Sequence, residues 1–269
     1  MISNSVASNP QSVIPGWQWQ NWEDISYLTC SLLSSWQHGF FTKEFYPRTP
    51  EDLTPVWQPE ATTYRVKQVH GNLVLTPKEI ELAKGDRNSF PDGDGIITDK
   101  SSQAAWVASA DCTPVLIGDL VTGRVSAIHA GWRGTSSRIV LKAIAHFLNF
   151  GSSKDDLRIA IGPAIAGSVY QVDEEVAIEV GRSIITHTES NDILAVLQDL
   201  PNSPLLNDDT SGKVRLDVRR VNQIQIEQLG INAEQIAIAP WCTFQQSDLF
   251  FSYRRTAEKK VQWSGIVSN

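Results

Sequence analysis

Two histidines stand where a fold commonly places reactive side chains. His70 and His129 each follow a stretch of β-forming residues, and each is followed directly by a glycine-containing turn, HGN and HAGWRG. Loops that leave rigid strands carry a large share of binding and catalytic residues. The other three histidines lack this context: His38 is either structural or functional, His146 lies on a predicted helix, and His187 lies in the polar run THTES. We therefore expect His70 and His129 to take part in chemistry.

A cysteine is predicted to face one of these histidines. The stretches TPVLIGD and RVSAIHA are joined by a short connection, so they are expected to pair as an antiparallel hairpin. A turn centred between Leu120 and Val121 places Cys112 directly opposite His129, and other turn registers separate the two by one or two residues. Such a pair could bind one metal ion or form a thiolate–imidazole nucleophile. A buried cysteine beside a hydrogen-bonded core histidine would show the same pattern, so these alternatives stay open at this point.

Basic residues near these positions could bind an anion. The glycines of GWRGT let the backbone approach a ligand. Thr135 is predicted to N-cap a helix that ends near Asn149, and the free amides at the start of this helix would attract anions. Arg133 in this turn could donate two hydrogen bonds. Arg254 and Arg255, after FFSY, form either a second anion clamp or a surface basic pair.

The elements around these residues predict the fold class. Apolar strands are predicted at QAAWVASA, TPVLIGD, RVSAIHA and LRIAIGP, and LFFSYRR is a last β-rich piece. YRVKQVHGNLVLT is mostly β-forming with a central Gly-Asn turn, which predicts a hairpin. PDGDG is interpreted as a turn, because it lacks the alternating acidic ligands of a calcium loop. Asp173 and Asp217 are predicted to begin two later helices.

Strands and helices are mixed without a regular βαβ repeat. The sequence therefore predicts an α+β fold in which mixed β-sheets pack with flanking helices as a layered sandwich. Residues 1–16 are predicted to be a loosely held N-terminal arm, and residues 17–269 a single domain.

Composition restricts the class of partner. The net charge is −7 and there is no basic run, which argues against nucleic acid. No window approaches eighteen continuous apolar residues, so no membrane span is predicted. The start lacks the charged and apolar regions of a secretory signal, and three scattered cysteines do not make a disulfide framework. We expect a cytoplasmic protein with a small ligand.

The chain resembles the YfiH/laccase-domain family, to which purine nucleoside phosphorolysis and adenosine deamination are assigned. The matching stretches run in family order over residues 64–255 and are KQVHGNLV, DGDGIITD, ASADCTPVLIGD, VSAIHAGWRGT, RIAIGPAI, LDVRRVNQIQIEQLGI and APWCTFQQSDLFFSYRR. ADCTPV followed by HAGWRGT is the most specific part. The resemblance implies that His70, Cys112 and His129 bind zinc. It also implies a fold related to a cytotoxin-type cysteine hydrolase. The chain departs from the family at Ala164, where a cysteine is usual, so no cysteine chemistry is expected there.

Two histidines and one thiolate leave a fourth tetrahedral position open, which is typical of a catalytic zinc. The resemblance implies phosphorolysis of adenosine, inosine, guanosine or methylthioadenosine to the base and ribose 1-phosphate, and deamination of adenosine to inosine. No glutamate stands near the three ligands in the sequence, so Asp111 is the first candidate for the proton shuttle of deamination. The predicted catalytic residues are Asp111, Cys112 and Arg133, and the predicted substrate-binding residues are Lys67, Gln68, Arg133 and Arg254. The expected partners are a purine nucleoside and phosphate, for a monomer or a homodimer.

Three other functions stay open. A copper-dependent polyphenol oxidase, the activity behind the family's older name, needs about ten histidines for its blue-copper and trinuclear sites. The chain has five, although copper could still occupy the single site. A non-enzymatic, zinc-stabilised binding module would need a fourth protein ligand, such as Cys242 or His38. A cysteine hydrolase would use Cys112 as nucleophile and His129 as base.

Overall fold

Two six-stranded sheets, a three-stranded sheet and eight α-helices make up the part of the chain that the computed structural model describes, residues 15–84, 89–185 and 192–269. The strands, in chain order, are β1 (Trp17–Trp22), β2 (Ile25–Cys30), β3 (His38–Phe41), β4 (Thr62–Tyr64), β5 (Val74–Leu75), β6 (Gly95–Ile97), β7 (Gln103–Ser109), β8 (Thr113–Asp119), β9 (Val125–Ala130), β10 (Leu157–Ile161), β11 (Gln171–Asp173), β12 (Leu205–Asn207), β13 (Lys213–Leu216), β14 (Ile236–Ile238) and β15 (Gln262–Val267). The helices are α1 (Pro50–Trp57), α2 (Pro77–Lys84), α3 (Trp132–Ser136), α4 (Ile139–Asn149), α5 (Glu174–Gly181), α6 (Ile193–Gln198), α7 (Val218–Gln228) and α8 (Tyr253–Thr256). Most of the predicted N-terminal arm, and His187, lie outside the described residues.

The two large sheets are mixed. The first has the strand order β1-β2-β3-β15-β7-β4, and the second has the order β14-β10-β8-β9-β6-β5. Parallel pairs occur at the edges, β4 with β7, β10 with β14 and β5 with β6, while the central pairs are antiparallel. The third sheet is antiparallel, with the order β11-β13-β12. This arrangement confirms the predicted α+β class with mixed sheets.

Apolar side chains hold the layers together. The inner faces of the two large sheets share one core, to which the first sheet contributes Leu28, Phe40 and Val107 and the second Leu116 and Ala127. The opposite face of the second sheet packs against α4 and α7, and the opposite face of the first packs against α1. The buried residues of α4 recur at helical spacing, as its sequence predicted; they are Ile139, Val140, Ala143, Ile144 and Phe147. Burying each large apolar side chain contributes about 1.5–3 kcal/mol.

The hairpin of β8 and β9 forms in a different register from the predicted one. Pro114, not Cys112, lies opposite His129. Cys112 precedes Pro114 by two residues and lies just before the start of β8. The reason is the turn, which Asp119 organises: its carboxylate accepts hydrogen bonds from the amides of Val121 at 2.9 Å and Thr122 at 3.2 Å. These bonds centre the turn one residue later than the sequence predicted, and the register shifts by two.

Two further predictions about local structure are wrong. Thr135 does not N-cap the long helix: it is buried within the short α3, and its amide donates to the carbonyl of Gly131, while α4 begins after Arg138. LFFSYRR is not a strand, because its end forms the short helix α8. Asp173 and Asp217 do precede α5 and α7, as predicted, and the Asp217 carboxylate accepts bonds from two amides of the first turn. None of the described helices combines the length and the apolar composition that crossing a bilayer requires.

Candidate functional site

Three predicted metal ligands come together from separate parts of the second sheet. His70 lies in the loop before β5, Cys112 directly precedes β8, and His129 lies in β9. Their ligand atoms all lie within 4.8 Å of one another, and no other cluster of three potential ligands occurs in the described ranges. His129 is buried, Cys112 half-buried and His70 exposed, so the cluster opens toward the surface.

The donor set and its surroundings fit a zinc ion. Two imidazoles and one thiolate are common zinc ligands, and three protein ligands leave a position for water or substrate. Gly131 lies against the cluster: a Cβ at this position would stand 3.0 Å from the Cys112 sulfur and 3.4 Å from the His70 ring. The predicted close approach of the glycine backbone is therefore present, although at the metal ligands.

A buried aspartate that the sequence analysis missed supports two of the ligands. The Asp94 carboxylate accepts hydrogen bonds from the amides of Val69 at 3.2 Å, His70 at 2.9 Å and Gly71 at 2.7 Å. It also lies 2.9 Å from Nδ1 of His129. Asp94 is the second aspartate of PDGDG, which does not form the predicted turn: Asp92 pairs with Lys67 in an isolated bridge, and Gly95 begins β6. The position of Asp94 directly before the apolar strand β6, inside a family-matching stretch, was the available signal.

These bonds explain why the predicted hairpin of residues 64–76 does not form. β4 belongs to the first sheet and β5 to the second, so the chain crosses between the sheets instead of turning back. The amides of residues 69–71 donate to the Asp94 carboxylate, and the side chain of Gln68 bonds both backbone groups of Ala108. The loop that carries His70 is therefore fixed by side-chain acceptors rather than by a strand partner.

The protein environment favours the thiolate. Burial by itself raises the pKa of the Cys112 thiol, but hydrogen bonds and charge from His129 and His70 lower it to about 6. For His129 burial acts in the opposite direction and lowers the pKa, but Asp94 and Cys112 outweigh it and raise the pKa to about 9. Thiolate is the form of cysteine that binds metals. The site thus carries negative charge suited to a cation at neutral pH.

A cavity of about 600 Å³ lies beside the three ligands. A cavity of this size is in the range that holds small-molecule ligands. Besides the ligands, its wall contains the rings of Tyr170, Tyr253 and Trp263, the polar residues Gln68, Ser109 and Asp111, and the charged residues Arg254, Glu258, Lys259 and Lys260. The cavity combines aromatic surface with positive charge next to the predicted metal site.

Asp111 links the candidate metal site to Arg254. It is buried, and its carboxylate accepts hydrogen bonds from the hydroxyls of Thr243 at 2.6 Å and Ser252 at 3.0 Å and from the amide of Arg254 at 2.7 Å. With three donors already bound, the carboxylate is arranged to hold Arg254 in place. Its predicted role as a proton shuttle stays a prediction.

The predicted basic residues separate into different environments. The Arg254 guanidinium lies in the cavity wall, 4.9 Å above the Tyr170 ring, and donates to the carbonyl of Gln171 at 2.8 Å. Arg255 instead donates to three backbone carbonyls, so this member of the pair is structural. Arg133 is exposed and stacks on its neighbour Trp132 at 4.2 Å.

Two predicted substrate contacts have partners within the protein. Lys67 points away from the cavity wall that its neighbours Val66 and Gln68 line, and forms an ion pair with Asp92 at 3.0 Å. The structure therefore does not bring Lys67 to the site. Gln68 lines the cavity, but its amide already bonds the backbone of Ala108.

The two candidate fourth ligands lie apart from the metal site. The sulfur of Cys242 accepts a hydrogen bond from the amide of Ala166 at 3.2 Å. His38 is buried in the first sheet, where its ring bonds the amide of Cys30 and the carbonyl of Trp36, both at 2.9 Å. Within the described ranges the cluster has three protein ligands. A closed four-ligand shell is not what the structure describes.

Comparisons with known proteins identify the family. Residues 53–267 match the family described as multi-copper polyphenol oxidoreductase laccase. A purine nucleoside phosphorylase of Synechocystis sp. is 55% identical over 259 residues, which cover 94% of this chain and 97% of the relative. A purine nucleoside phosphorylase of Bacteroides thetaiotaomicron is 31% identical over 221 residues, 81% of this chain and 74% of the relative.

Solved structures show the same fold. YlmD from Geobacillus stearothermophilus superposes with a TM-score of 0.75 at 23% identity, covering 93% of this chain and 98% of that one. The Bacillus licheniformis protein YfiH gives a TM-score of 0.73 at 23% identity, covering 97% and 100%. The match over most of the chain and the 55% identical relative show that this chain belongs to the YfiH/laccase-domain family.

Proposed function

We propose that this chain is a zinc-dependent purine nucleoside phosphorylase that also deaminates adenosine to inosine. The observation that carries the proposal is the position of the His70, Cys112 and His129 cluster, which opens into a cavity with aromatic walls and a guanidinium. The names of the curated relatives support the phosphorylase activity. Bound to these three residues, zinc would supply Lewis-acid activation of water or substrate.

Aromatic residues give the cavity surface on which a purine can stack. Tyr170, Tyr253 and Trp263 all contribute to its wall, and Tyr253 is 54% exposed. Flat rings gain from offset stacking and from burial of apolar area. Burial, with the nearby Cys112 as a smaller cause, raises the pKa of Tyr170 to about 12, so its phenol stays neutral and can donate a hydrogen bond.

Arg254 is suited to hold the phosphate. In phosphorolysis a phosphate oxygen forms a bond to the anomeric carbon of the ribose while the bond from that carbon to the base breaks. The negative phosphate must therefore be held beside the ribose. One nitrogen of the Arg254 guanidinium bonds Gln171, and the remaining N–H groups have no partner among the described residues. Guanidinium groups bind phosphate through paired, charge-assisted hydrogen bonds. Arg133, whose charge also lies near Tyr170, is the second candidate.

The departing base must receive a proton, and deamination also needs a proton shuttle. Asp111 lies in the cavity wall, where three hydrogen bonds hold its carboxylate, and it is the candidate for both proton transfers. We further propose that adenosine, inosine, guanosine and methylthioadenosine are substrates, and that the chain acts in the cytoplasm as a monomer or homodimer.

Product analysis of adenosine turnover tests the proposal. The protein is purified without added metal and incubated with adenosine, with and without phosphate. We expect adenine and ribose 1-phosphate only with phosphate, and inosine in both conditions. Replacing the exposed His70 with Ala should abolish these products, whereas His146→Ala, on α4, should not. Absence of phosphate-dependent base release from the zinc-loaded protein would overturn the phosphorylase proposal.

Copper-dependent phenol oxidation is the second candidate, because the description of the matching family states it. The chain has five histidines, and His38 is already bonded in the core. Copper nevertheless binds nitrogen and sulfur ligands more tightly than zinc does. We therefore expect phenol oxidation to be weak and to rise in proportion to the copper content. Fast oxidation of phenols by copper-free zinc protein would favour the oxidase instead.

A further inference from the structure

We propose that Asp94 is a positioning residue of the metal centre, which fixes the ring of His129 and the loop of His70 through one carboxylate. The inference rests on the proposed function only for the assignment of the metal ligands. Asp94 does not line the cavity, and none of its side chain is exposed. It therefore acts through the two histidines rather than on the substrate.

The first half of the arrangement fixes which ring nitrogen of His129 faces the metal site. Oδ1 of Asp94 lies 2.9 Å from Nδ1 of His129, and the backbone amide of His129 donates to the Asp94 carbonyl at 2.7 Å. A carboxylate accepts hydrogen bonds, so Nδ1 carries a proton. Nε2 is then the ring nitrogen left to face a metal ion, which would take the place of any proton there; a carboxylate partner commonly imposes this arrangement on a ligating histidine.

The second half fixes the backbone of the other histidine ligand. His70 has φ +59°, a left-handed conformation that non-glycine residues rarely adopt. Three successive amides, from Val69 to Gly71, converge on the two carboxylate oxygens of Asp94 at 2.7–3.2 Å. These bonds compensate the unfavourable conformation and hold the imidazole of His70 beside that of His129, with ring centroids 4.9 Å apart.

The geometry predicts what an amide would do in place of the carboxylate. Asn has one acceptor oxygen and an NH₂ group that only donates. In Asp94→Asn the NH₂ group would replace one of the two carboxylate oxygens and would face the N–H groups that this oxygen accepts from. Either the His129 ring or the His70 loop would therefore lose its acceptor. Outer partners of metal ligands typically contribute about 10- to 100-fold to metal affinity.

Asp119 offers a matched control. It is also fully buried, and its carboxylate accepts bonds from the amides of Val121 and Thr122 and from the hydroxyls of Thr122 and Ser152. It lies at the opposite end of β8 from Cys112, within the turn, and bonds none of the metal ligands. Asp119→Asn therefore removes a comparable set of buried bonds without touching the metal site.

The experiment measures zinc affinity by competition with a chelator at fixed pH for the wild type, Asp94→Asn and Asp119→Asn, alongside urea unfolding. We expect a loss of zinc affinity of about 10- to 100-fold in Asp94→Asn and a change below about threefold in Asp119→Asn, with stability lowered in both. Equal zinc affinities in Asp94→Asn and the wild type, or equal losses in both variants, would overturn the proposal.

A second measurement does not depend on the variant folding. Nitrogen NMR of the histidine rings in the zinc-loaded wild type should show His129 protonated at Nδ1 and bound to zinc through Nε2. Coordination through Nδ1 would contradict the proposal. Both readouts are independent of turnover, so a zinc protein without nucleoside activity would refute the proposed function and leave the role of Asp94 standing.

Discussion

Replacing Arg254 with Ala should separate phosphorolysis from deamination. The guanidinium lies over the Tyr170 ring at 4.9 Å and in the wall of the cavity that the metal ligands share. Only phosphorolysis brings an anionic substrate, phosphate, into this cavity, since deamination consumes adenosine and water, which are both uncharged. The side chain itself makes one hydrogen bond, to the Gln171 carbonyl, so its removal should leave the fold intact.

The size of the effect follows from the hydrogen bonds that phosphate would lose. A hydrogen bond to a charged group contributes about 1.5–3 kcal/mol. That energy corresponds to a rate loss of about 10- to 150-fold. Arg254 is exposed, and water weakens such an interaction, so we expect a loss near the lower end. Deamination should fall by less than about twofold. Arg133→Ala, which the sequence also indicates for phosphate, should have the same preference with a smaller loss, because Arg133 lies outside the cavity wall.

The assay compares initial rates of adenine release with phosphate and of inosine formation without it, for the wild type and Arg254→Ala. Lys67→Ala serves as the control, because it removes the same charge from a side chain paired with Asp92 at 3.0 Å outside the cavity wall. Equal losses of both reactions in Arg254→Ala would show that Arg254 contacts the nucleoside or supports the fold. An unchanged rate of phosphorolysis would also refute the reasoning.

Two further substitutions test buried carboxylates. Asp119→Asn should lower the free energy of unfolding by about 1–3 kcal/mol in urea titrations. Burial raises the pKa of Asp119, but hydrogen bonds from Ser152, Thr122 and turn amides outweigh it and lower the pKa overall. The stabilisation is therefore complete above the unfolded pKa of about 3.9 and is lost as the pH falls through the lower folded value, so the difference from the wild type should shrink in acid. Asp111→Asn should retain zinc and slow phosphorolysis more than deamination, because the carboxylate holds Arg254; a loss of deamination as large as that of phosphorolysis would instead identify Asp111 as the proton shuttle.

The sequence predicted the elements whose signal is local. β7 to β10 are short apolar runs bounded by polar turns, and runs of this length and composition are typical of buried strands. The register in which β8 and β9 pair depends instead on where the turn between them is centred. The side chain of Asp119 decides this through bonds to amides two and three residues later, and hydrophobic pattern carries no record of such bonds.

The parts that the sequence could not predict depend on distant partners. Residues 64–76 have the composition of a hairpin, but Asp94, more than twenty residues away, accepts the amides around His70. Lys67 and Gln68 are neighbours with opposite outcomes, since an extended chain points successive side chains to opposite sides and only Gln68 faces the cavity. Arg254 and Arg255 also separate into a cavity residue and a structural residue, in their case because successive side chains of the short helix α8 point in different directions around its axis. The single-domain boundary at residue 17 and the identity of the metal stay predictions.

Metal analysis of Cys112→Ala, combined with the phosphorolysis rate, tests the central claim most directly. The three-ligand site predicts one zinc per chain in the wild type, purified without added metal. It also predicts that Cys112→Ala loses most of the zinc and the phosphate-dependent release of adenine together, while circular dichroism shows an intact fold. Cys30→Ala, at a buried cysteine of β2, should keep both the zinc and the activity. Full zinc occupancy or undiminished phosphorolysis in folded Cys112→Ala would contradict the account.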